Sequence, residues 1–300
     1  MTGIHHVTAI AGAPAENVAF YTQALGLRLV KKTVNFDDPG TWHLYYGDQA
    51  GRPGSILTFF PFPGILPGRA GTGSATETAF RIAPGSVEDW LERFADLLAG
   101  ERFPGFTFEA PLERFGEAVI RFTDPDGLPL SLVGRAGDSD FGAFDGVTLS
   151  LRDPAPTARL LTEVFGYAEA GQEGTRHRLQ TAVDAPGNRV DLVPSDDRER
   201  RGAGTVHHVA FRTPSDADQL AWRERVLEYG IPVTEVKDRQ YFRSIYFREP
   251  GGVLFEIATD PPGFTADEDP GSLGSGLKLP PWLEARRPSI EARLPSLTPS

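Results

Sequence analysis

The feature that most constrains this chain is an internal repeat. Residues 4–27, IHHVTAIAGAPAENVAFYTQALGL, and residues 144–167, FDGVTLSLRDPAPTARLLTEVFGY, align without a gap at an offset of 140 residues. Each runs from a short strand pattern through a Pro-containing turn into an amphipathic helix ending at Gly26 or Gly166. Two further segments open the same way, ETAFRIAPGSVEDWLERF from Glu77 and HHVAFRTPSDADQLAWRERV from His207. The endings repeat as well. TDPDGLPLSLVG (123–134) and REPGGVLFEIAT (248–259) each set a Pro-Gly type turn before an apolar strand, and RPGSILTFF (52–60) and APGNRVDLV (185–193) close the other two units. Such a chain holds four units of roughly 50–70 residues, each a strand, a helix and three strands.

The expected fold is therefore α+β, four βαβββ units paired as residues 1–135 and 144–259. Between the halves lies GRAGDSDFGA (134–143), small and polar as a linker is. Residues 260–300 form a Pro- and Gly-rich tail with one short helical pattern, WLEARRPSIEARL (282–294), expected to pack on the body of the protein. With 300 residues, each half can bury a core of its own.

In a strand, alternate side chains share a face, so a site cupped by these sheets draws on each unit's first and last strands. Aligning the units gives four pairs of equivalent positions: His6 and Thr58, Glu77 and Ser131, Gly146 and Asp191, His208 and Glu256. Only the first and fourth units offer strong ligands there. Two His and one carboxylate, with Thr58 a poor fourth, is the facial triad of non-haem Fe(II) oxygenases. Glu256 stands in the apolar strand VLFEIA, where an unpaired carboxylate is costly and calls for a cation. His5 and His207 adjoin the ligand positions, and a one-residue slip would exchange them for His6 and His208; the repeat favours the second His of each pair. By alternation Thr8 shares the face of His6, His5 and Val7 face the other way, and Arg239 and Tyr241 share a face with each other. Trp42, Tyr45 and Phe242 are candidates for the aromatic wall of a pocket. Glu77, Ser131, Gly146 and Asp191 read as a vestigial structural half.

Composition removes other chemistries. No cysteine is present, which excludes disulfides, thiolate metal sites and thiol nucleophiles, so any metal is held by His, Asp or Glu. A net charge of −11 with no basic stretch argues against nucleic acid as a partner. No apolar run approaches a membrane span, and MTGIHHVTAI has no signal-peptide pattern, so the default expectation is cytoplasmic.

With these residues in hand, the chain resembles the vicinal-oxygen-chelate superfamily of glyoxalases and extradiol dioxygenases, and within it the ring-cleaving dioxygenases that act on hydroquinones. GIHHVTAI (3–10), WHLYYGD (42–48), GTVHHVAF (204–211), DRQYFRSIYFREPGGVLFEIATD (238–260) and GFTADED (263–269) carry the resemblance over nearly the full length. Catechol-type members take all three ligands from the C-terminal half. The hydroquinone-cleaving group takes one His from the first unit and His plus Glu from the last, as here. The resemblance implies two modules with cupped mixed sheets, and Fe(II), or Mn(II) in its place, on His6, His208 and Glu256. It implies His5, His207, Arg239 and Tyr241 as catalytic pocket residues and Thr8 as a substrate contact. The partners would be a small aromatic substrate and O2. A homodimer is the base-rate expectation for such repeats. Two alternatives stay open: a glyoxalase-like isomerase or lyase, which usually has four protein ligands, and a non-catalytic binding protein, which needs no metal.

Overall fold

The repeat is visible turn by turn in the computed structural model, which describes residues 1–136 and 141–298. The first unit is β1 (Ile4–Ala11), α1 (Pro14–Ala19), β2 (Arg28–Asn35), β3 (Asp38–Gly47) and β4 (Ile56–Pro61). The second is β5 (Ser74–Ile82), α2 (Val87–Ala99), two short strands β6 (Thr107–Phe108) and β7 (Leu112–Arg114), then β8 (Glu117–Thr123) and β9 (Pro129–Gly134). The third is β10 (Phe144–Leu151), α3 (Ala155–Arg159), β11 (Ala168–Glu173), β12 (Arg176–Gln180) and β13 (Arg189–Pro194). The fourth is β14 (Thr205–Thr213), α4 (Asp216–Glu228), β15 (Lys237–Asp238), β16 (Arg243–Arg248) and β17 (Leu254–Thr259). In the first and third units a π-turn ends the helix, at Phe20–Ala24 and Leu160–Val164. Gly26 and Gly166 follow at φ 79° and 74°, a conformation that favours glycine, so both helix stops are backbone requirements.

In each unit the first and last strands are parallel neighbours, joined by a crossover through the helix. Thr8 pairs with Thr58, Ala79 with Ser131, Thr148 with Asp191 and Ala210 with Glu256. Two residues before each of these first-strand partners stand His6, Glu77, Gly146 and His208, on the same face by alternation. The four pairs aligned from sequence are thus equivalent in register.

One sheet runs β15-β16-β17-β14-β1-β4-β3-β2, and the other β11-β12-β13-β10-β5-β9-β8-β6 with β7 on β8. The units therefore pair first with fourth, through antiparallel β1 and β14, and second with third, through β5 and β10. The division into 1–135 and 144–259 describes the order of units along the chain, not their pairing in sheets. Of the linker stretch, residues 137–140 lie outside the described residues, and Phe141 packs on Phe80 and Trp90. One apolar cluster, with Val7 and Phe59 from one sheet and Phe80, Phe122 and Leu149 from the other, joins the two.

The tail packs on the first sheet, as expected. Leu277 bridges to Lys32, Val34 is buried with Leu279, Leu283 and Ile290, and the Trp42 indole N–H donates to the Pro295 carbonyl at 2.8 Å. The helical pattern in the tail resolves into α5 (Pro281–Glu284) and α6 (Arg287–Glu291). Among the described residues no helix is long and apolar enough to cross a membrane.

The two sheets form cups of the same geometry and opposite content. In the second, Glu77 accepts from Arg114 Nη1 at 2.5 Å and from Ser131 Oγ at 3.0 Å. Asp191 is held by Arg178 at 2.8 and 3.0 Å and by Arg176 at 3.0 Å. A Cβ at Gly146 would lie 2.3 Å from the Arg189 carbonyl oxygen, so no ligand side chain fits there. The cavity that remains is about 10 Å³. Guanidinium groups fill this cup, which explains how buried carboxylates persist in it. Arg114→Leu strands Glu77 and is expected to cost about 3 kcal/mol in urea unfolding, whereas Glu77→Leu with Arg114→Leu should cost clearly less. A double variant at least as unstable as the single one would contradict the pairing.

Candidate metal centre

Down the middle of the first sheet the pairing of β1 with β14 slips twice. Ile4 faces Phe211 and His6 faces Ala210, leaving His5 as an extra residue; Thr8 faces His208 and Ala9 faces Val206, leaving His207 extra. Each is a bulge, and a bulge re-aims the side chain of its unpaired residue. Alternation alone sets His5 on the face opposite His6. The bulge instead turns the two rings edge-on, with their Nδ1 atoms 2.9 Å apart. His207 and His208 repeat the arrangement at 2.8 Å.

These contacts choose the tautomer. Burial first, then the neighbouring His6, holds the His5 imidazole well below its ordinary pKa, and His5 also hydrogen-bonds the Thr259 backbone. A neutral His5 that gives its one N–H to that carbonyl has a bare Nδ1, so His6 Nδ1–H donates to it. His6 Nε2 then keeps a free lone pair, as a metal ligand requires. Burial likewise lowers His208, and pushes His207 down to about 3 with His208 adding to the effect.

Glu256 completes the cluster from β17. It has no surface exposure. Ser244 Oγ donates to its Oε1. Its Oε2 lies 2.9 Å from His208 Nε2 and 3.4 Å from His6 Nε2, yet makes no hydrogen bond of acceptable geometry. The two Nε2 atoms are 3.3 Å apart, and the three candidate ligand atoms lie within 4.8 Å of one another. An orphaned carboxylate oxygen facing two imidazole Nε2 atoms fits a divalent cation, and this donor set suits a first-row metal with open positions.

The fourth position is closed to coordination. Thr58 Oγ1 is 3.1 Å from Thr8 Oγ1 and 2.7 Å from His43 Nε2, and His43 Nδ1 is 2.8 Å from the Tyr45 hydroxyl. Thr8, expected to touch substrate, is instead fully buried at the far end of this chain. Its strand neighbours β4, so its short side chain meets Thr58 and never reaches the pocket.

Above the cluster opens a cavity of about 520 Å³. His6, His207, His208 and Glu256 line one part of it, Phe36, Phe60, Phe62 and Phe242 its apolar walls, and Asn35, Asp37, Thr234 and Lys237 are among its polar lining residues. Arg239 reaches in, donating from Nε to the Tyr246 hydroxyl at 3.1 Å and from Nη1 to Asp37 Oδ2 at 3.1 Å. Tyr241 does not. It is buried on the other side, its hydroxyl on Asp267 Oδ2 at 2.9 Å. The shared face expected for Arg239 and Tyr241 fails because residues 239–242 are a turn rather than a strand, with Gln240 at φ 67°. Phe242 takes the pocket side, its ring 4.9 Å from that of His6. Tyr45 lines the pocket, whereas Trp42 points to the tail.

Among the pocket residues that the sequence reading does not single out are Tyr246 and His43, both beside the cluster. Tyr246 pairs with Glu256 across β16 and β17, so the register of those strands points to it. His43 stands two residues before Tyr45, on the same strand face. Burial pushes the Tyr246 phenol up and the His43 imidazole well down, so both are neutral near pH 7.

This geometry can be set beside known proteins. The family model for the glyoxalase/bleomycin resistance protein/dioxygenase superfamily matches residues 3–132 and 143–257. MhqO of Bacillus subtilis (strain 168), provisionally named a ring-cleaving dioxygenase, is 45% identical over 309 residues, spanning 97% of this chain and 95% of that protein. The chlorohydroquinone/hydroquinone 1,2-dioxygenase of Sphingobium indicum is 30% identical over 306 residues, 94% of this chain and 92% of that one. A crystal structure of a provisionally named dioxygenase from Bacillus subtilis superposes with a TM-score of 0.91 at 43% identity, covering 98% of this chain and 97% of the other. On fold, register and these matches, the chain belongs to the glyoxalase/bleomycin resistance protein/dioxygenase superfamily.

Proposed function

We propose that this chain is a ring-cleaving dioxygenase that opens a hydroquinone-type aromatic ring with O2, using Fe(II), or Mn(II) in its place, held by His6, His208 and Glu256. The observation that carries the reading is the orphaned Glu256 Oε2 beside two imidazoles in a cavity walled by aromatic rings. The name of the Sphingobium relative supports the substrate class. A glyoxalase-like isomerase is disfavoured because the fourth ligand position holds Thr58, already engaged by His43 and Thr8.

When bound, the metal supplies open positions where a phenolate oxygen and O2 meet and exchange electrons. The protein's own groups do the rest. Phe242 and Phe60 pack against a flat ring and exclude water from it. His207, neutral and with its bare Nδ1 turned to His208 Nδ1–H, presents its Nε2–H to the pocket as a donor to a substrate oxygen. Tyr246 stays protonated, and the Arg239 N–H on its oxygen polarises the phenol, so its O–H donates to negative charge developing on a substrate oxygen. The second hydroxyl of a para-diol, out of reach of the metal that binds the first, meets the polar groups Asn35, Asp37, Thr234 and Lys237.

Reconstitution with Fe(II) under anaerobic conditions, then addition of O2 and a substituted hydroquinone, should give oxygen uptake together with absorbance from a ring-opened product. Loss of an outer partner to a metal ligand typically costs about 10–100-fold, so Glu256→Gln is expected to lose on the order of 100-fold or more in activity and metal affinity. Iron bound without oxygen uptake on any hydroquinone or catechol sinks the proposal. His5→Phe keeps an aromatic ring but removes the acceptor for His6 Nδ1–H; metal titration should show about 10–100-fold weaker binding in a folded protein. Tyr246→Phe should lower kcat by about 100-fold with iron content unchanged. Unaltered turnover in that variant would remove Tyr246 from the mechanism.

A further inference from the structure

Lys31 has no surface exposure and no part in the chemistry above. Its ammonium lies 3.0 Å from the Phe264 carbonyl, 2.6 Å from Asp267 Oδ1 and 2.5 Å from Glu268 Oε2, and 4.7 Å over the ring of Tyr241. Three donors meet three acceptors, so a cation taken fully out of water is answered on every side. All three acceptors belong to GFTADED (263–269), a motif the function has not otherwise absorbed. Tyr241 is held by the same group: its hydroxyl donates to Asp267 Oδ2 at 2.9 Å, and its carbonyl accepts from the Gly263 N–H at 2.9 Å.

Tyr241 is also part of the turn whose first and last residues, Arg239 and Phe242, face the pocket. Within that turn Arg239 N–H donates to the Phe242 carbonyl at 3.0 Å and Tyr241 N–H to the Arg239 carbonyl at 2.8 Å. Gln240 sits at φ 67°, which a residue other than glycine holds only where its surroundings over-determine it. Lys31 stands on β2, and the β2–β3 turn carries Asp37, the acceptor for Arg239 Nη1. The hairpin and the turn are therefore tied twice, at the base by Lys31, Asp267 and Tyr241, and at the mouth by Asp37 and Arg239.

We propose that the cluster of Lys31, Asp267, Glu268 and Tyr241, built on the buried Lys31 ammonium, is a positioning device that sets the 239–242 turn and so aims Arg239 and Phe242 over the cup. Its kinetic consequence rests on the ring-cleavage reading; its structural consequence does not. Tyr241→Phe is the mild probe, since it removes one hydrogen bond and keeps the ring. With the iron-loaded protein and a substituted hydroquinone, Tyr241→Phe should lower kcat/KM by about tenfold, but by no more than about twofold when Arg239→Gln is already present, because residues acting through one another are non-additive. Equal losses in both backgrounds would overturn the proposal, since a general loss of stability adds in each. Amide hydrogen exchange gives an arm independent of activity. The Arg239 and Tyr241 amides should exchange about tenfold faster in Tyr241→Phe while β1 and β14 stay protected. Unchanged exchange at those two amides overturns the device even if activity falls. If the wild-type protein consumes no oxygen with any hydroquinone, the ring-cleavage reading fails and the exchange result alone decides this one.

Discussion

A carboxylate buried without a counter-charge is unstable, and the first cup is organised around how Glu256 is answered. Ser244 satisfies one oxygen and leaves the other facing His6 and His208. Those imidazoles cannot supply the charge as imidazolium while keeping lone pairs for a ligand role. The bulges at His5 and His207 supply the partner for the ligand form, because each puts a ring nitrogen within hydrogen-bond reach of the ligand's own Nδ1. Two imidazoles that keep lone pairs for a ligand leave the buried carboxylate to be answered by a cation. Fold, tautomer and charge lead to the same vacancy of charge by separate routes.

Much of this was legible in the sequence because it depends on two simple periods. The offset between units fixes which residues are equivalent, and strand alternation fixes which of them share a face. Parallel pairing of β14 with β17 then sets His208 beside Glu256, and antiparallel pairing of β1 with β14 brings His6 to the same cup. What escaped belongs to places where those periods break. A bulge leaves no mark in sequence beyond an ambiguous His-His doublet, so His5 was expected on the wrong face. The turn at 239–242 interrupts alternation through Gln240, which sent Tyr241 away from the pocket and brought Phe242 in. Thr8 was on the correct face but is too short to pass Thr58. Trp42 was claimed by the tail, whose packing no local pattern announces. His43 follows from alternation with Tyr45, whereas Tyr246 follows from the register of β16 against β17, which no local pattern states.

The pairing of first unit with fourth also has a chemical consequence. A cup made from both ends of the chain takes its candidate ligands from β1, β14 and β17, so the cluster forms only when distant segments have met. Loop-closure cost is then borne by the whole fold rather than by the site. The tail adds to this closure, since Leu277 to Ile290 covers the outer strand of the same sheet.

Comparison of the two cups shows what separates a scaffold from a site. Both place acidic side chains at equivalent register, and both must neutralise them out of water. In the second, arginines from neighbouring strands reach in, and their bulk leaves about 10 Å³. A guanidinium spends its donors on the carboxylates it meets and has no position left for a reactant. In the first, no arginine among the described residues pairs with the carboxylate; Arg239 is directed to Tyr246 and Asp37 instead, and about 520 Å³ stays open. A small cation on three ligands neutralises the same kind of charge while leaving coordination positions free. Thr58 matters for that reason: a fourth strong ligand would satisfy the ion further and narrow the room for two reactants. Its hydroxyl, tied between Thr8 and His43, keeps the cup three-sided.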